Sequence, residues 1–203
     1  MDVPARQIRA VHEEGSVVVY QAYPPRIAEP ALEAGTFVAP FKVERMTWIK
    51  PSFLWMMYRC GWATKPEQER VLAVTITRAG LDWALANSCL SDYERELYAS
   101  HEAWHARKRA TPVRVQWDPE RSLALERLEH RAIQIGLGGE AVQRYVGEWI
   151  TAIEDVTPLA HEIRDLVATG AHDAARRRLP RERPLRLRAE LAAIVGASDP
   201  EPA

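Results

Sequence analysis

The sequence predicts an α+β fold: a bent, mainly antiparallel sheet or a split pair of sheets, with helices interspersed between the strands. Three observations point there. Short β-branched and aromatic runs, such as Ser16 to Tyr23 and Arg70 to Thr77, read as buried strands. Helical segments separate them at irregular intervals, without a repeating βαβ period. No strand is followed by Gly-x-Gly-x-x-Gly, which disfavours a dinucleotide-binding parallel sheet.

Taken in order, Ser16 to Tyr23 is a strand ended by Pro24-Pro25. Arg26 to Ala34 is a short helix closed by Gly35 at the position after its C-cap. Thr36 to Lys42 reads as extended. Thr47 to Lys50 is a short strand, and Pro51 suits the first turn of the helix Phe53 to Tyr58, where a missing N–H costs nothing. Arg70 to Thr77 is a strand, and Ala79 to Cys89 a helix. Ser91 to Ala110 is polar and expected as two helical pieces. Val113 to Trp117 alternates as a strand that Asp118-Pro119 should break. Arg131 to Leu137 is a further strand; Gly138-Gly139 turns into a helix from Glu140 to Ile150, with another from Glu154 to Val167. A last amphipathic helix is expected from Pro184 to Val195, and an unstructured tail after Gly196. The division is one α+β domain over residues 1–170 and an arginine-rich C-terminal segment over 171–203.

The chain has 203 residues, of which 47% are hydrophobic, enough for one substantial core. The formal net charge of -1 gives no bulk attraction to nucleic acid or anionic membrane. No stretch approaches the roughly 20 apolar residues of a membrane span, and the first residues lack the apolar core of a signal peptide. A cytoplasmic location is therefore expected. Cys60 and Cys89 stand in apolar surroundings and read as reduced, buried small hydrophobes.

The stretch Arg45 to Ala63 is the most informative. A strand running into a helix N-terminus presents free N–H groups and a positive dipole end, a place for an anion such as a phosphate. Lys50 and Ser52 flank that junction, and Arg45 and Arg59 could converge on it. Trp48, Trp55 and Trp62 recur every seven residues, which on a helix marks one face, so Trp55 and Trp62 read as core. On the first strand, parity groups Val17, Val19, Gln21 and Tyr23 on one face. Gln21 is either a solvent-facing strand end or, with Tyr23, part of a cleft. On the Ile133 strand, Gln134 lies opposite the apolar face, between Ala132 and Gly136, whose small size would let a ligand approach. His101 and His105 form a His-x3-His pair without a third ligand, so no metal is assigned. The C-terminal arginines read first as a solvated face, with phosphate-backbone contact as the alternative.

The strings Val-Val-Tyr-Gln-Ala-Tyr, Met-Thr-Trp-Ile-Lys-Pro-Ser-Phe-Leu-Trp-Met-Met-Tyr-Arg, Arg-Val-Leu-Ala-Val-Thr-Ile-Thr, Val-Gln-Trp-Asp-Pro-Glu-Arg and Ile-Gln-Ile-Gly-Leu resemble a widespread bacterial family of unknown function, over about Arg6 to Val167. More weakly, the order of parts resembles the ADP-ribosyltransferase-like fold. That resemblance implies NAD as substrate, gripped by Gln21 or Tyr20 and by Thr47-Trp48. Gln134 would stand where the superfamily has Glu or Gln, orienting the nicotinamide ribose or the acceptor. The implied cleft comprises Gln21, Tyr23, Arg45, Thr47, Trp48, Lys50 and Ser52 with Gln134 opposite. A nucleic acid or protein would accept the ADP-ribose; the alternative is a non-catalytic nucleotide- or nucleic-acid-binding module.

Overall fold

The computed structural model describes residues 3–198. A two-residue strand, β1 (Arg9–Ala10), leads into β2 (Ser16–Tyr23) and helix α1 (Pro25–Ala34). Gly35 closes α1 in the left-handed region, φ 69°, where a Cβ would be strained. Next come β3 (Thr47–Ile49), α2 (Phe53–Cys60), β4 (Arg70–Thr77), α3 (Arg78–Ala86) and β5 (Ser88–Leu90). Helix α4 (His101–Ala110) precedes the long hairpin β6 (Val113–Arg121) and β7 (Arg127–Leu137). Then follow α5 (Glu140–Arg144), a π-helical turn (Tyr145–Trp149), β8 (Ile150–Asp155) and α6 (Thr157–Ala168). The described chain ends with α7 (His172–Arg178), β9 (Arg183–Pro184) and α8 (Ala189–Val195).

The fold is α+β with mixed sheets. One sheet is antiparallel in the order β2-β4-β8, with Val19 opposite Val74. The other has the order β3-β7-β6-β5, in which β5 runs parallel to β6 and the remaining pairs are antiparallel. The main core lies between the inner faces: Val17, Val19, Leu72, Val74 and Ile76 meet Ile49, Val113, Val115, Ile133, Ile135 and Leu137. The outer face of β2 and β4 carries a second cluster, where Tyr20 and Val71 pack on Phe53, Met56 and Met57 of α2 and on Ala160 and Ile163 of α6. Parity on β2 thus separates two cores.

Several expectations are corrected. The helix expected from Glu140 to Ile150 is α5 plus a π-helical turn, and the helix expected from Glu154 begins at Thr157. Between them Ile150–Asp155 is a strand that completes the β4 edge, as tertiary pairing overrides local propensity. Cys89 is in β5, not in α3. Residues 91–100 form turns, with one helix, α4, after them. Thr36 to Lys42 is a bend-rich loop and not extended. Pro119 does not end β6: a register shift between Pro119 and Arg121 absorbs its missing N–H, and pairing resumes. The C-terminal helix begins at Ala189, and Pro184 belongs to β9, paired with β1.

The segment after residue 170 packs into the main core. Leu185, Leu187, Leu191 and Val195 are buried there, and the Trp117 indole Nε1–H donates to the Val195 carbonyl at 2.7 Å. Of the tail after Gly196, Ser198 is held by Arg6: its N–H donates to the Arg6 carbonyl at 3.0 Å. The Ala197 N–H donates to the Ala192 carbonyl at 2.9 Å, and residues 199–203 lie outside the described residues.

Candidate functional site

Strands β2 and β3 belong to different sheets and touch at one bridge. The Tyr20 N–H donates to the Lys50 carbonyl at 2.7 Å, and the Lys50 N–H to the Tyr20 carbonyl at 3.3 Å. Beyond that bridge the strands diverge. A cleft of about 670 Å³ lies at the divergence, lined by Gln21 and Tyr23 from β2, Thr47 and Trp48 from β3, and Lys42, Arg45 and Met46 from the preceding loop. Lys50, Met56, Arg59, Arg26 and Glu67 also line it.

A buried hydrogen-bond cluster sets this edge of the site. Gln21 is 2% exposed, so it is not a solvent-facing strand end. Its Nε2 donates to Thr47 Oγ1 at 2.7 Å, to the Tyr23 hydroxyl at 2.9 Å and, more weakly, to the Trp48 carbonyl at 3.3 Å. The Tyr145 hydroxyl donates to Gln21 Oε1 at 2.7 Å, and the Tyr23 and Thr47 hydroxyls are 2.7 Å apart. All the polar atoms of Gln21 are used within the protein. Its role is to hold the Tyr23 and Thr47 hydroxyls and the β3 backbone in place. Burial pushes the Tyr23 phenol up to about 12, so it stays protonated and can donate.

Lys50 lies at the base of the cleft, 7% exposed. Its Nζ donates to the Trp48 carbonyl at 3.0 Å and sits 5.6 Å from the centre of the Trp55 ring. Burial lowers its pKa from the usual 10.5 to about 7; the Arg59 guanidinium adds to the drop, while Asp118 and Cys60 oppose it. Nearer the mouth, Lys42, Arg45 and Arg59 are exposed. Among the described residues none of the three has a carboxylate partner, whereas Arg26 is paired with Glu67. The cleft therefore presents free positive charge over a floor of hydroxyls and an indole.

The α2 N-terminus is not an open anion site. Ser52 caps it, its Oγ accepting from the Trp55 N–H at 3.1 Å while donating to Glu120 Oε1 at 2.9 Å. The Phe53 N–H donates to Glu182 Oε1 at 2.7 Å. The protein's own carboxylate fills the place that the junction suggested for a phosphate, and Ser52 is buried away from the cleft lining. Burial raises Glu182 to about 8, and the neighbouring Glu120, itself raised by burial, adds to that rise.

Gln134 also stands apart from the cleft lining. Its Nε2 donates to Asp118 Oδ2 at 2.5 Å, and Gln116 Nε2 reaches Asp118 Oδ1 at 3.2 Å. The room expected beside it is taken. A Cβ at Gly136 would meet Met46 Sδ and Trp48 Cζ2 at 2.9 Å, so the small residue accommodates the indole of Trp48, not a ligand.

The structure brings Gln21, Tyr23, Arg45, Thr47, Trp48 and Lys50 to one cleft, with Arg59, and leaves Ser52 and Gln134 outside it. Tyr145, Lys42, Asp118 and Glu182 escaped the sequence reading. Asp118 had a legible signal, since it shares a strand face with Gln116, but the expected strand stops at Trp117, four residues short of the end of β6. Trp55 and Trp62 are buried, and Trp62 joins the second core. His101 stacks on Tyr93 at 3.8 Å, and among the described residues no group of three or more His, Cys, Asp or Glu could hold a metal. Nor is any described helix long and apolar enough to cross a membrane.

The chain is an α+β scaffold with a cleft where its two larger sheets split. The chain belongs to the family described as a domain of unknown function (DUF4291), which spans residues 7–185. No curated protein matches it.

Proposed function

We propose that the cleft between β2 and β3 binds NAD or a related nucleotide, on a scaffold of the ADP-ribosyltransferase-like kind. The observation that carries this reading is the divergence of β2 and β3, with Tyr23, Thr47 and Trp48 on the floor and unpaired Lys42, Arg45 and Arg59 around it. Hydroxyls suit ribose, an indole suits a flat base or ring, and unpaired guanidinium groups suit a diphosphate. The corresponding chemistry is cleavage of the bond between ribose and nicotinamide, with ADP-ribose passed to a protein or nucleic-acid acceptor. Gln21 positions the binding groups in that scheme. Hydrogen bonds that strengthen as positive charge develops on the ribose would supply the catalysis.

A second reading is a nucleotide- or nucleic-acid-binding module without transfer activity. It is favoured by Gln134, whose amide is engaged by Asp118 outside the cleft, so that no carboxylate or free amide from β7 faces the floor. Incubation with NAD labelled in the adenylate half, with protein, DNA and RNA acceptors, separates the two. Transfer of label or release of nicotinamide, lost in Thr47→Val, supports the enzyme. Salt-dependent retention of RNA or DNA without label release supports the module.

A further inference from the structure

The chain has four lysines, Lys42, Lys50, Lys65 and Lys108. Lys50 differs from the others in its setting. It is buried at the base of the cleft, among the described residues it has no carboxylate in ion-pair contact, and its one hydrogen-bond acceptor is the Trp48 carbonyl, which it shares with Gln21. One acceptor suits a neutral amine, which donates one N–H and keeps a lone pair; an ammonium would leave two donors unsatisfied. The groups facing it are the Arg59 guanidinium and Cys60 from α2 and the half-buried Asp118 from β6. Desolvation beside a second cation is the setting in which a lysine becomes a nucleophile. By contrast, Lys65 donates to the Tyr58 and Arg59 carbonyls and Lys108 to the Ser91 carbonyl, both outside the cleft, and Lys42 is exposed on its rim.

We propose that Lys50 is a reactive amine that forms an imine with the aldehyde of a sugar phosphate held in the cleft. This rests on the cleft being a site for phosphate-bearing ligands, as proposed above. The Nζ lone pair attacks the carbonyl carbon, and the carbonyl pair moves onto oxygen. That oxygen leaves as water carrying the two amine hydrogens, and a C=N bond remains. No oxidant or reductant is consumed. The phosphate would be held by Arg45 and Arg59, with Thr47 and Tyr23 beside the sugar hydroxyls. Ribose 5-phosphate and the ring-opened terminal ribose of ADP-ribose both carry the required groups.

With a pKa near 7 half of the Lys50 amine is neutral at pH 7, against about one part in a thousand or less for an ordinary exposed lysine. The intact protein is therefore treated at pH 7 with ribose 5-phosphate and cyanoborohydride, which reduces the imine to a stable amine, and modified peptides are quantified over time. Lys50 should be modified at least about tenfold faster than the other three lysines. ADP should slow it, Lys50→Arg should abolish the fast phase, and Lys108→Arg, outside the cleft, should leave it intact. Selectivity should shrink as pH approaches 10, where every lysine becomes neutral. Even modification of all four lysines, fastest modification at Lys42, or a fast phase surviving in Lys50→Arg would overturn the proposal. Equal rates with unphosphorylated ribose would overturn its phosphate requirement. A parallel titration with ADP-ribose distinguishes the two ideas: binding without trapping at Lys50 refutes the imine and leaves the nucleotide cleft standing.

Discussion

Replacing Glu182 with Gln should reshape the pH dependence of stability. Glu182 accepts from the Phe53 N–H at the start of α2 and is half-buried there, without an ion-pair partner among the described residues. Burial raises its carboxyl from the usual 4.5 to about 8, with Glu120 adding to the rise. A folded-state pKa above the unfolded one means that the folded protein binds the proton more tightly. The associated stability is full below about pH 4.5 and is lost as pH rises through 8. At about 1.4 kcal/mol per pKa unit, a rise of this size corresponds to roughly 5 kcal/mol as an upper figure. For a chain of this length that is about 10–20 °C in Tm. Gln keeps the oxygen that receives the Phe53 N–H but does not titrate. Thermal unfolding followed by circular dichroism from pH 5 to pH 9 should give matching Tm values near pH 5, with Glu182→Gln several degrees more stable above pH 8. Parallel curves, or a variant less stable than wild type at pH 8.5, would refute the reasoning.

Other perturbations have equally definite outcomes. Lys50→Met should act at the opposite end of the pH scale: a lowered lysine pKa costs stability as pH falls from 10.5 through 7, so the variant should gain most at or below neutral pH in the same melts. Gln21→Leu leaves the Tyr145 hydroxyl buried without its acceptor and should cost about 1–3 kcal/mol in urea unfolding. Gly136→Ala forces Trp48 and Met46 off β7; the Trp48 fluorescence and any nucleotide affinity should change together, with a smaller loss of global stability. Leu187→Ala should cost about 2–5 kcal/mol, as a core leucine does, because the segment after residue 170 is part of the main core. A near-zero cost would contradict the packing of that segment into the main core.

The legible part of the fold is the local part. β2 and β4 announce themselves as β-branched runs, and Pro24, Gly35 and Ser52 punctuate the chain where helices start and stop. β5 and β8 were missed because their strand identity comes from partners. Ser88–Leu90 has three residues and lies beside Val113–Val115, and Ile150–Asp155 is drawn out along β4. The site divides in the same way. Gln21, Thr47 and Trp48 were legible as candidates because both strands were; parity grouped Gln21 with Tyr23 but left open whether that face met solvent or a cleft, and the burial of Gln21 decides it. Glu182 and Tyr145 were not, because each reaches its partner across more than a hundred residues and nothing in its neighbourhood signals the contact. Gln134 misled for the converse reason: small neighbours mark space on a strand but do not say what fills it, and here Trp48 does.

Calorimetric titration of ADP-ribose and NAD into wild type and Arg45→Glu tests the nucleotide cleft itself. Arg45 is exposed on its rim and unpaired, so its reversal should leave the melting temperature unchanged. Saturable binding to wild type, weakened at least about tenfold in Arg45→Glu, or roughly 1.4 kcal/mol, is the expected result. No binding to wild type, or equal affinity in the two proteins, would mean that the cleft between β2 and β3 is not where this protein meets a nucleotide.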